Sequence, residues 1–183
     1  LMGGFGMQGF QRMAALPQSN ILLALLRDGF HEQSQGGSVA LRDNGDPLLD
    51  YPVTDYLWDG VRRAFLSMGE IQFAAGARAV MPSHAHGRLS TSWADYQEQV
   101  AGLSYRLHDV RLASAHVMGG CAMGEDPTRA VVNSQGRHHQ LENLSIIDGS
   151  LFPTSIGANP QLSVYALAAR NSSRLAQRLA NSA

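Results

Sequence analysis

Apolar side chains recur at helical intervals in the middle of the chain: Leu57, Val61, Phe65, Met68 and Ile71 fall on one stripe of a 3.6-residue repeat. The pattern predicts a helix from Thr54 to about Ala75. Thr54 is a favoured N-cap, Asp55 lies where the helix dipole favours an anion, and Gly76 ends the run. A second helix is predicted over Ser92 to Leu103, capped by Ser92 with Asp95 three residues on, in the manner of a capping box. A last helix begins at Asn159-Pro160, asparagine as N-cap and proline as first helical residue. It runs to about Leu179 with Leu162, Ala166, Ala169 and Leu175 near one face. Val39 and Leu41, then Leu48, Leu49 and Tyr51, flank the turn Asn44-Gly45 and predict two antiparallel strands. The apolar run Ile21 to Leu26, within Asn20 to Phe30, fits a buried strand or a short helix. Val80-Met81-Pro82 and Leu144 to Ile147 read as short strands, and residues 1–19 as a loop rich in Gly and Met. These elements together give an α+β fold.

Composition narrows the chemistry. With 44% hydrophobic and 16% charged residues the chain is neither disordered nor a polyelectrolyte. A net charge of −1 with scattered basic residues gives no support to a nucleic-acid or anionic-membrane surface. All 14 basic residues are Arg, which excludes a Schiff-base or P-loop lysine. One Cys excludes an internal disulfide and a multi-thiolate metal site. Ile21 to Leu26, the longest apolar run, is too short to span a bilayer. The opening Leu1-Met2-Gly3-Gly4 carries no secretory signal, so a cytoplasmic location is expected. It also reads as the interior of a longer polypeptide whose true N-terminus is missing.

Four groups of residues could carry chemistry. Gly4-Phe5-Gly6-Met7-Gln8-Gly9 matches the dinucleotide pattern, but that motif needs a strand before it and a helix after it. With three residues ahead of it and no helix start at Gly9-Phe10, it reads as a glycine-rich loop. His84-Ala85-His86 has a spacing usable for a metal, yet no third ligand is near, and an exposed polar loop is the expectation; His138-His139 likewise reads as surface. Cys121 could be a thiol nucleophile with His116 as its base, although a lone Cys among Met118, Ala122 and Met123 is more often a small buried hydrophobe. The fourth group joins His116 to Asn159-Pro160 across Asp148-Gly149-Ser150 and Pro153.

In that last group the chain resembles the C-terminal part of the glucose–methanol–choline (GMC) family of flavin oxidoreductases. The resemblance rests on His116 to Gly124 with its Cys-x-Met-Gly ending, on Val131-Val132-Asn133 and Gly136, and on Leu144 to Ser150. Pro153 and Asn159-Pro160-Gln161-Leu162-Ser163 complete it. Ala166 to Asn171 is similar to the cholesterol-oxidase and long-chain alcohol oxidase branches, while Gly120 stands where many members have Thr. The match is specific from about residue 113 to 179. The resemblance implies a substrate-domain portion over 1–112, an antiparallel sheet with helices. Residues 113–183 would then return to an FAD-binding domain, supplying its closing strand and last helix.

The family's glycine-rich ADP-binding loop is absent, so the resemblance implies the C-terminal part of a longer enzyme, inactive by itself, whose missing partner is the N-terminal FAD-binding region. It further implies oxidation of a small-molecule alcohol with FAD. His116 would be the general base and Asn159 a hydrogen-bond partner of the substrate oxygen. Asp148, Gly149, Asn159, Pro160 and Gln161 would lie along the cofactor. Apolar surface left unmatched makes a homo-oligomer possible. The competing readings are a non-catalytic binding or scaffold module without a cofactor domain, and a thiol-dependent hydrolase built on Cys121 and His116.

Overall fold

A computed structural model describes residues 5–181. It divides the chain into two compact units, one formed by the residues up to Leu26 with Tyr51–Ala113, the other by Arg27–Asp50 with Ser114–Ala183. Among the described residues there are four helices and one two-stranded antiparallel sheet, the expected α+β mixture.

The first unit is built on helices α1 (Gly6–Ala14), α2 (Asp55–Ala74) and α3 (Trp93–Gly102). Thr54 caps α2 by accepting from the Leu57 amide, as expected, and Gly76 follows in the left-handed region at φ +86°. Leu57, Val61 and Phe65 are buried, but the stripe turns at Gly69, and Ile71 is exposed. Gly69 is where α3 arrives: a Cβ there would stand 2.2 Å from the Tyr96 ring. Tyr96 is buried with Val61, Phe65, Val100 and Val110, and its hydroxyl donates to the Phe65 carbonyl at 3.1 Å. Burial pushes that phenol up to about 12. Ser92 caps α3 through the Asp95 amide. The Asp95 carboxylate does not reach back to complete a box; it grips the Arg88 guanidinium with both oxygens instead.

Two expectations fail in this unit. The Gly- and Met-rich start is a helix from Gly6 onward, because Met7, Phe10, Met13 and Ala14 fall on one side and Gln11 and Arg12 on the other. Gly6 and Gly9 of the dinucleotide-like pattern therefore lie inside α1, while Gly4 falls outside the described residues. Ile21 to Leu26 is neither strand nor helix. It lies extended along α2, with Asn20 bonded to Gln72 at one end and Leu26 against Gly60 at the other. Leu23 and Leu25 are left exposed.

The second unit begins with the hairpin β1 (Ser38–Leu41) and β2 (Pro47–Asp50), paired Val39 with Leu49 and Leu41 with Pro47, as the turn residues predict. Gly45 takes the positive φ of the turn at +83°. Val39, Leu41 and Leu49 share one face, and each is more than two-thirds exposed. The stretch from Ser114 to Asp148 is irregular, crossed by isolated bridges such as Met123 to Val132 and Arg137 to Ser145. Leu144 to Ile147 takes part in that last bridge, with Leu144 O accepting from His138 N and Ile146 N donating to Gly136 O, but forms no strand. A single 3-10 turn, Gly149–Leu151, precedes helix α4 (Gln161–Ala180).

Helix α4 starts one residue later than expected. Pro160 occupies the cap position with helical angles and accepts from the Val164 amide, so Asn159 is not the N-cap. The covered face also differs: Val164, Leu167, Ala168, Asn171 and Leu175 are turned inward, whereas Leu162, Ala166 and Ala169 are exposed.

Candidate active site

The turn Asp148–Leu151 organises the second unit. Asp148 Oδ1 accepts from both the amide and the hydroxyl of Ser150, at 2.8 and 2.5 Å, which closes the 3-10 turn. Leu151 is fully buried and anchors it. The segment after His116 runs along this turn: Cys121 N donates to Ser150 O at 3.1 Å and Met123 N to Leu151 O at 2.9 Å. From the other side comes α4. A Cβ on Gly149 would stand 3.6 Å from the Val117 carbonyl oxygen and 3.6 Å from Val164 Cγ2. A side chain at position 149 would thus meet both the residue after His116 and the first turn of the helix that follows Asn159, so the two segments flank the same turn. His116 and Asn159 are both exposed, and among the described residues no hydrogen bond engages either side chain.

The start of α4 is electrostatically open. No side chain caps it and its first turn holds no acidic residue. The amides of Gln161, Leu162 and Ser163 precede the first intrahelical donor, Val164, so they point forward without an internal partner. The positive end of a 20-residue helix dipole adds to them. Gln161 turns its amide to the Tyr165 hydroxyl at 2.8 Å, along the helix. Chemically, this arrangement offers an imidazole for proton transfer, a carboxamide for an oxygen, and a helix tip for negative charge.

Sequence reasoning did not find the apolar groove of about 310 Å3 beside α4, lined by Met123, Phe152, Ser163, Ala166, Leu167 and Arg170. The signal was available in Phe152 and Leu167, apolar residues in segments already singled out. Arg170 at its edge donates to the Ser134 carbonyl at 2.9 Å.

The remaining candidates have structural work. His84 is buried, not an exposed loop residue; its Nε2 lies 2.7 Å from Ser104 O, and its Nδ1 accepts from His86 N. The His86 ring lies 3.9 Å from Asp109, whose carboxyl the Ser104 hydroxyl and the Arg106 guanidinium hold below its ordinary range. Nor are His138 and His139 free surface: His138 Nδ1 accepts from the amides of Gln140 and Leu141, and His139 Nε2 bonds Gly124 O at 2.9 Å. Among the described residues no cluster of three or more His, Cys, Asp or Glu could hold a metal ion. Cys121 is half-buried, and among the described residues no hydrogen bond joins it to His116. No helix among the described residues is long and apolar enough to cross a membrane.

Comparison with known proteins agrees with the resemblance read from the sequence. Residues 33–168 match the family model for GMC oxidoreductase. A GMC-type oxidoreductase of Sinorhizobium fredii is 31% identical over 68% of this chain and 25% of its own length. A long-chain-alcohol oxidase of Arabidopsis thaliana is 29% identical over 86% of this chain and 21% of its own. A cholesterol oxidase of Acinetobacter baumannii reaches 46% identity over 31% of this chain and 10% of its own. The chain spans about a quarter or less of the length of these relatives. It belongs to the GMC oxidoreductase family, of which it carries the C-terminal domain.

Proposed function

We propose that this chain is the C-terminal part of an FAD-dependent enzyme that oxidises a CH–OH group of a small-molecule alcohol, with His116 as the general base. The supporting observation is that the segment after His116 is hydrogen-bonded to the Gly149–Leu151 turn, while the space beside Gly149 is bounded by Val117 and by Val164 in the uncapped first turn of α4. Bound flavin supplies a two-electron acceptor for the hydride of the carbinol carbon. That hydride leaves readily only as the hydroxyl loses its proton, and the His116 imidazole is a group able to accept that proton. Asn159, exposed and unused as a cap, donates its amide to the substrate oxygen without competing for that proton.

The residues fit the cofactor on one side. The free amides of Gln161, Leu162 and Ser163 and the dipole of α4 suit the anionic edge of a reduced ring. The Asp148 carboxylate and the Gly149 backbone would lie along the ribityl or pyrophosphate portion. No glycine-rich loop between a strand and a helix stands among the described residues to hold the adenosine diphosphate half. We therefore assign that half to polypeptide beyond this chain and expect the chain alone to be inactive. The same polypeptide accounts for the exposed apolar faces of the hairpin and of α4. The relatives include oxidases named for long-chain alcohols and for cholesterol, and the alcohol accepted here belongs to this broad class.

The test is His116→Ala in the full-length flavoprotein. Turnover of an alcohol should fall by about 10²- to 10⁴-fold, the usual worth of a general base, while bound flavin keeps its absorbance. Unchanged turnover, or a folded full-length protein without flavin, would refute the assignment.

A further inference from the structure

We propose that Gly119 is a positioning residue for His116; the inference rests on the reading of His116 as the base. Two glycines follow in succession, Gly119 and Gly120, but only the first is demanded by the backbone. Gly119 has φ +84°, a region that L side chains rarely enter, and a Cβ there would stand 3.3 Å from the Pro153 carbonyl oxygen. Gly120 has no such angle, and its Cβ would meet only Ser150 Cβ at 3.9 Å.

The difference matters because of where the strap is fastened. Cys121 and Met123 are bonded to Ser150 and Leu151, but among the described residues no backbone hydrogen bond holds Ser114 to Gly120. Gly119, whose positive φ and lack of a side chain let the strap pass beside Pro153, is thus the glycine-specific backbone constraint nearest His116. A side chain there drives φ back to negative values and swings the peptide units upstream, and the imidazole moves with them. A displacement of about 1 Å at a reacting group costs about 10²-fold in rate.

In the full-length flavoenzyme, Gly119→Ala should lower kcat about 10- to 100-fold with KM held within about threefold, and raise the deuterium isotope effect on the carbinol C–H bond. Gly120→Ala should leave kcat within about twofold of the parent. Two readouts need no catalysis. In the 183-residue chain, Gly119→Ala should shift the His116 ring resonances and speed amide exchange at Cys121 and Met123, while Gly120→Ala leaves both in place. Equal losses in the two variants, or parental kcat in Gly119→Ala, overturn the proposal. Should Gly119→Ala fail to fold, Gly119→Asn and Gly119→Ser decide. Asn tolerates positive φ and should keep more kcat than Ser, and equal values for the two overturn it. If His116→Ala retains turnover the base reading falls first. If His116→Ala abolishes turnover while Gly119→Ala does not, only the positioning role falls.

Discussion

Gly69→Ala sets two effects of opposite sign against each other within α2. In an exposed helix interior the change gains about 1 kcal/mol, because alanine loses less backbone freedom on folding. Here the new Cβ would stand 2.2 Å from Tyr96 Cε1, 2.7 Å from Cδ1 and 2.9 Å from Cζ, far inside normal contact. The ring cannot step aside easily. Tyr96 is 1% exposed, stacks on Trp93 with centroids 6.0 Å apart, meets Phe73 edge-on at 6.1 Å and bonds the Phe65 carbonyl. Overpacking of this kind costs about 1–3 kcal/mol, and loss of the tyrosine hydrogen bond about 1 more. The clash outweighs the propensity gain, and the net expectation is about 1–3 kcal/mol of destabilisation. Denaturant unfolding followed by fluorescence reads this directly, since Trp58 and Trp93 both belong to the unit concerned. A double-mutant cycle with Tyr96→Leu supplies the control. With the ring gone Gly69→Ala should become neutral or stabilising, a coupling of about 1–3 kcal/mol. Stabilisation by Gly69→Ala alone, or coupling within error of zero, refutes the reasoning.

Other expectations follow from the same coordinates. Hydrogen bonding to Arg88 draws the Asp95 carboxyl from the ordinary carboxylate range down to about 2. Its stabilising contribution should be full above about pH 4 and fade as pH falls toward 2. Denaturation midpoints of Asp95→Asn and the parent should converge over that range, and a constant gap contradicts the pairing. Val39→Ser with Leu49→Ser should lower self-association of the 183-residue chain in sedimentation velocity and leave its melting temperature within about 2 °C, because both side chains are exposed. Asn159→Asp sets a carboxylate beside the open start of α4. It should stabilise the chain by about 0.3–1 kcal/mol in thermal melts, yet reduce kcat/KM of the full-length flavoenzyme at least about tenfold by removing an amide donor. A variant that is both more stable and fully active contradicts the assigned role.

What could be read from the sequence follows from how local each signal is. The hairpin needs only Asn44-Gly45 between alternating apolar residues, and α2 and α3 need only Thr54 and Ser92 ahead of a helical stripe. These survive because nothing distant competes with them. Helix α1 escaped notice because Gly6 and Gly9 lower its propensity, although its Met and Phe residues carry the helical period. Ile21 to Leu26 has no period to read; its course is set by Gln72 and Gly60, distant in sequence. His84, His138 and His139 looked like surface because their partners are backbone groups, which carry no sequence signature.

Helix α4 is the informative disagreement. Its inward face passes through Asn171, a polar residue 1% exposed, while Leu162 stands 81% and Tyr165 60% exposed. A helix that buries asparagine and displays leucine has a sequence fitted to more than one surface. Its start tells the same story. α2 and α3 carry a threonine and a serine cap, each worth about 1 kcal/mol, and α4, as long as α2, has none. Stability has been left unclaimed where the His116 strap, Gly149 and the first turn of the helix come together. An occupied cap would consume the amides that an anionic ring edge can use, and a buried imidazole could not exchange a proton with an alcohol. On the proposed reading, the open helix tip and the exposed imidazole are weaknesses in the chain taken alone that a cofactor and its domain would put to use.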